Sequence, residues 1–237
     1  MNDMKISGSG SVPAGEYGLV SISGSAKFTG PVKAERVKIS GSGRGCAALD
    51  AGEMGVSGSF RCDGTLSAGS LRVSGSLKCA GAFHGGAVSC SGSMEAGGDV
   101  AVSHLDVSGV FTVKDGTKIE ADEIHCSGSI KIDGQISADK VEARGFVEAR
   151  EVVGDSVSIR SQLAHAYLAV LFPKLSSRVG LIEATTVELR GVSAETVNGR
   201  DVTIGPGCTI ERLDCSGTLS IDPTATIATI TGSYTTL

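Results

Sequence analysis

Tryptophan is missing from this 237-residue chain, aromatic residues make up only 4% of it, and 34 of its positions are glycine. One large globular core would need bulkier side chains, so stability must come from another kind of packing. The seven cysteines include no Cys-x-x-Cys pair. An odd count without that spacing fits neither a disulfide framework nor a zinc site, and it suits a reducing cytoplasm. No stretch approaches the roughly 20 apolar residues of a membrane span. The opening MNDMKISGSG has neither the basic nor the apolar region of a secretory signal. A formal net charge of −5 gives no general attraction to nucleic acid. Walker sequences, dinucleotide fingerprints and nucleophile elbows are absent as well, so no active site and no cofactor is expected.

What the chain has in plenty is a metre. Glycines recur at Gly8, Gly24, Gly41, Gly58, Gly75, Gly92, Gly109, Gly128 and Gly145, in steps of 16, 17, 17, 17, 17, 17, 19 and 17 residues. Most are flanked by serine. A disordered Gly/Ser linker would not need the 41% hydrophobic residues that alternate with polar ones between these glycines. A fixed period is the mark of a solenoid.

Aligned on the glycine, the segments fall into columns. Four places before it stand Val20, Val37, Met54, Leu71, Val88 and Leu105; two places after it stand Ala26, Gly43, Phe60, Leu77, Met94 and Phe111; four places after it stand Phe28, Gly45, Cys62, Cys79 and Ala96. Each 17-residue rung thus holds three short stretches of period two, the pattern of β-strands with one buried face. Such strands can satisfy their backbones only against the same strand of the next rung. The expected fold is all-β, a single-stranded parallel β-helix of about 17 residues per rung. The column Gly24, Gly41, Gly58, Gly75, Gly92, Gly109, Gly128 and Gly145 marks a corner where φ is positive or where a Cβ does not fit. The two extra residues between Gly109 and Gly128 are expected at a corner near Gly116.

After Gly145 the metre weakens and SQLAHAYLAVLFPKLSSR breaks it. The chain is therefore divided into a β-helix over 1–160, an interrupting helix or flap over 161–186 and a continuation of the β-helix over 187–237. Leu163, Tyr167, Val170, Leu171 and Phe172 lie in an apolar run that Pro173 would end. They either pack on the solenoid or form a protrusion that touches a membrane or a partner.

The cysteines fall in core columns and read as small buried hydrophobes, not zinc ligands. His84, His104, His125 and His165 occupy unrelated columns. Three places after the glycine stand Lys27, Arg44, Arg61 and Lys78, followed by Glu95. Stacked, they form a basic stripe, either a solvated face or a site for an anionic lipid, polymer or acidic partner.

The ladder VKISGSG, MGVSGSF, LRVSGSL, with the later DVTIGPGCTIERLDCSGTLSIDPTATI, resembles the bactofilin family of polymer-forming bacterial cytoskeletal proteins, in particular its longer Gram-positive members. The resemblance implies a right-handed β-helix, cytoplasmic and often associated with the inner face of the membrane, that joins end to end into filaments without nucleotide; the membrane surface and cell-envelope proteins are the further partners expected. Physics supports assembly independently, since the last rung of a parallel β-helix exposes unpaired strand edges. Met4, Ile6, Ile227 and Ile230 are the expected contacts of such a homopolymer. Two other readings stand beside it: a rigid rod presenting 161–186 or the basic stripe to a partner, and a hexapeptide-type acyltransferase. The 17-residue period speaks against the last.

Overall fold

The structure is a computed structural model that describes residues 2–114, 116–161 and 176–236. It is all-β, with no helix among the described residues, and is built as a parallel β-solenoid. The chain divides into two compact units, Met1–Ile119 and Glu120–Leu237.

In the first unit, Ser25–Phe28 runs out, in, out, in. Val32–Ile39 alternates likewise until Glu35 and Arg36, successive residues that both face solvent. Two neighbours pointing the same way cannot share one flat strand, so the chain turns a corner there. Each segment pairs in parallel with its counterpart one rung on. Val20 lies opposite Val37, then Met54, Leu71, Val88 and Leu105. None of these six side chains is more than 3% exposed.

At the glycine corner the rungs come closest. A Cβ on Gly41 would lie 2.0 Å from the Gly24 carbonyl oxygen, one on Gly58 1.9 Å from that of Gly41, and one on Gly75 2.0 Å from that of Gly58. None of the three has a positive φ, so crowding, not a left-handed backbone, selects glycine. The approach serves hydrogen bonding: the Ile22 carbonyl accepts from the N–H groups of Ser40 (2.8 Å) and Gly41 (3.1 Å), and the Gly24 carbonyl accepts from Ser42 (2.8 Å).

Two details depart from the columns read in the sequence. Gly45 does not occupy the inward position four after the glycine. Its φ of +84° opens a bulge, and Cys46, fully buried, takes that place opposite Cys62. Gly43 leaves a gap through which Phe28 and Phe60 meet edge to face, centroids 5.4 Å apart, where a Cβ would strike the Phe60 ring at 2.9 Å. Gly116, with φ +75°, lies between the strands Val110–Val113 and Lys118–Cys126, at the expected site of the two extra residues.

In the second unit the rung length varies. Val141 pairs with Val157, 16 residues on; Val187 pairs with Val202, 15 on; Leu213 pairs with Ile230, 17 on. The interruption is also shorter than expected. Ser177–Arg190 is a strand, paired from Arg178 opposite Glu148 to Arg190 opposite Arg160, so residues 177–186 belong to the solenoid and not to an insertion. Ser161 and Gly191 follow the paired Arg160 and Arg190, which puts Ser161 in line with a glycine corner. Ser161 and Ser177 are both buried, with their hydroxyl oxygens 3.2 Å apart. The Ser177 oxygen also accepts from the Val147 N–H at 3.1 Å.

A rung-to-rung clamp closes near Asp201. Its Oδ1 accepts from the hydroxyl (2.7 Å) and N–H (3.2 Å) of Thr218, and its Oδ2 from Arg200 Nε (2.8 Å). Hydrogen bonds from Thr218 and Arg200 hold this carboxyl below the usual carboxylate range.

Two predictions follow from this packing. Gly75→Ala forces a methyl against backbone and is expected to cost about 2–4 kcal/mol in denaturant unfolding, while Gly55→Ala, where a Cβ meets nothing within 4 Å, stays within about 0.5 kcal/mol. A depressed folded pKa adds stability above the unfolded value, and that stability is lost as pH falls through the folded value. Asp201→Asn is accordingly expected to lower the thermal midpoint at pH 7 and to change it far less near pH 2. Equal shifts at both pH values would contradict the clamp.

Candidate functional site

The short strand after each glycine corner presents two outward columns. Ser9, Ser25, Ser42, Ser59, Ser76 and Ser93 stand in register one place after the corner. Two places further on, Lys27 lies opposite Arg44, Arg44 opposite Arg61, Arg61 opposite Lys78, and Lys78 opposite Glu95. The four cations expected as a stripe are thus neighbours across the sheet. Arg61 is neutralised by Asp63 at 3.0 Å and Lys78 by Glu95 at 2.6 Å. Among the described residues, Lys27 and Arg44 have no carboxylate partner.

A further set of cations, not singled out in the sequence, flanks the corner on its other side. Lys5, Lys38 and Arg72 stand three places before the glycine, alternating in one ladder with Ser21 and Gly55. The same alignment carries them, but a cation in every second rung is easily passed over. A cavity of about 290 Å³ lies over Ser9, Ser25, Ser42, Lys27 and Arg44.

The cysteines are all free and buried. Cys46, Cys62 and Cys79 stack in one interior column. Hydrogen bonds to the Cys62 sulfur, together with burial, push the thiols of Cys46 and Cys79 far up. Cys62 Sγ itself lies 3.3 Å from the carbonyl oxygen of Cys46 and 3.6 Å from that of Gly64. Burial raises Cys90 and Cys126 to about 11. No group of three or more His, Cys, Asp or Glu side chains converges as a metal site among the described residues. His125 sits between Glu123 (3.2 Å) and Glu142 (3.7 Å). His84 and His104 lie on separate columns, and His165 is outside the described residues.

The expected assembly contacts occupy the outermost described rungs. Met4 and Ile6 are half-buried, although their partners Val20 and Ile22 are 0% and 1% exposed. Ile230 is 37% exposed, while Leu213 and Val197 of its column are buried. Ile227, opposite the buried Ile210, is half-buried. Leu163, Tyr167, Val170, Leu171 and Phe172 lie outside the described residues, so the reading of that run as a protrusion has no geometry here. No helix among the described residues is long and apolar enough to cross a membrane.

Over 83 residues the chain is 35% identical to an uncharacterized protein, YhbE, of Bacillus subtilis (strain 168). The match takes in 35% of each chain, so only about a third of that relative's length is spanned. No family model matches the chain, and no solved structure matches it.

The buried thiols yield a direct check. Native protein is expected to react with an aromatic disulfide reagent at none of its seven cysteines within minutes, and at all seven once guanidinium unfolds it.

Proposed function

We propose that this chain is a non-catalytic structural scaffold that assembles end to end into filaments without nucleotide, through contacts between outermost rungs of successive copies. The observation that carries the reading is the contrast within single columns: side chains buried in interior rungs become partly exposed at Met4, Ile6 and Ile230. Among the described residues, Asn2–Ile6 pairs with Gly15–Ile22 alone, and Thr226–Thr231 with Thr209–Cys215 alone. Each therefore offers a row of backbone donors and acceptors beside apolar side chains. A second copy is the partner whose strand spacing fits such an edge without adjustment. The resemblance to bactofilins supports the same reading, as does the repeated β-solenoid itself, which suits a rigid load-bearing element better than a catalytic cleft. The free cysteines agree with a cytoplasmic filament, whose further partners would lie at the inner membrane face or cell envelope.

Purified protein is expected to sediment as long assemblies and to form filaments by negative-stain electron microscopy with no nucleotide added. Ile227→Lys with Ile230→Lys should reduce it to small species while leaving the far-ultraviolet dichroism unchanged. A monodisperse monomer at high concentration, free of detergent and partner, would overturn the proposal. Deleting 162–175 distinguishes it from a recognition rod: a filament former still polymerises, whereas a rod that binds through this segment loses its partner.

A further inference from the structure

Beyond self-assembly, we infer that the glycine corner of the first unit is a binding surface for a linear phosphate polymer without bases. A column of cations lies on each side of the corner, with exposed serine hydroxyls between them. From Lys5 to Arg72 on one side and from Lys27 to Lys78 on the other, neither column contains a carboxylate. Among the described residues, Lys5, Lys27, Lys38, Arg44 and Arg72 take part in no ion pair.

This arrangement is costly, because like charges directly opposite one another across a sheet repel. Other ladders of the same unit avoid it. Glu16, Lys33 and Asp50 alternate in sign, and Arg36 faces Glu53 at 3.1 Å. Cations left unpaired at Lys5, Lys27, Lys38, Arg44 and Arg72, where neighbouring ladders are balanced, have the charge complementarity of an anion.

The chemistry narrows the anion. Serine hydroxyls and cations are donors side by side, about 7 Å apart along each strand and repeated about every 4.8 Å from rung to rung. A phosphate group accepts from both at once through separate oxygens, with the stronger charge-assisted bonds to Lys27 and Arg44. The cavity over Ser9, Ser25, Ser42, Lys27 and Arg44 provides the recess for one such group. The ladder beyond it favours a chain over a single ion, since each further phosphate binds as an intramolecular event. No aromatic side chain stands in these columns, so nothing is offered for a base to stack on. The serine ladder ends at the exposed Val110 and the cation ladder at Glu95, which sets the far limit of the surface.

Fluorescence anisotropy with labelled inorganic polyphosphate tests the assignment at low and at physiological salt. Wild-type protein is expected to bind it, with affinity falling as salt rises. Lys27→Glu with Arg44→Glu should weaken binding by about tenfold or more, because each reversal turns attraction into repulsion. Lys33→Glu with Arg212→Glu, the same change in net charge on cations of other columns, should alter it less than about twofold. Dichroism confirms that both variants fold. An equal loss in the two variants, no binding at low salt, or tighter binding of oligothymidine, polyglutamate or phosphatidylglycerol vesicles than of polyphosphate would overturn the inference.

Discussion

A chain that contributes single strands to successive rungs has nowhere to send its backbone hydrogen bonds except to the rung on either side. Everything else in this structure depends on that. It forces like onto like, because each residue lies opposite its counterpart one repeat away. It also sets a limit on how far apart the rungs can be. At the glycine corner the limit becomes a steric rule: a carbonyl oxygen sits about where the next rung's Cβ would be. The serine-glycine motif is the trace of that rule in the sequence.

Register also turns a one-dimensional pattern into surfaces. Valine stacked on valine makes a core with few aromatic residues and no tryptophan, since each rung needs to fill only a thin layer. Where one rung cannot fill its layer, the neighbours do, as Phe28 and Phe60 do across Gly43. On the outside the same stacking multiplies whatever charge a column carries. Sign alternation removes the penalty in the Glu16 ladder, and ion pairs offset it at Arg61 and Lys78. The unpaired cations beside the serines are where local stability and the surface chemistry part company.

Most of the first unit was legible because its rungs keep close to one length. Period two within the rung gave the buried columns, and the 17-residue step gave their register. Cys46 was not legible, because the bulge at Gly45 depends on a positive φ and not on any change in the pattern. The second unit was harder to read for a different reason. Around 177–204 the rungs contract to 15 residues and the corner keeps glycine only at Gly191, so a ruler of 17 slides off the strand that begins at Ser177. The two extra residues near Gly116 obeyed the expected logic, since they lie between two strands, where extra residues do not flip the faces of a strand. Of the candidate surface, the four-cation stripe could be read from one column. Its other half was passed over, because Lys5, Lys38 and Arg72 alternate with Ser21 and Gly55 and form no continuous run in their column.

Stepwise distances between spin labels test in-register stacking most directly. With the native cysteines buried, pairs of new cysteines at Ser25 and Ser42, Ser25 and Ser59, and Ser25 and Ser76 lie one, two and three rungs apart on one outward column. Electron–electron resonance spectroscopy, with continuous-wave broadening for the shortest pair, should return distances that grow by about 4.8 Å per rung with narrow distributions. Distances that fail to grow in equal steps, or that spread broadly at every separation, would contradict the solenoid and the account built on it.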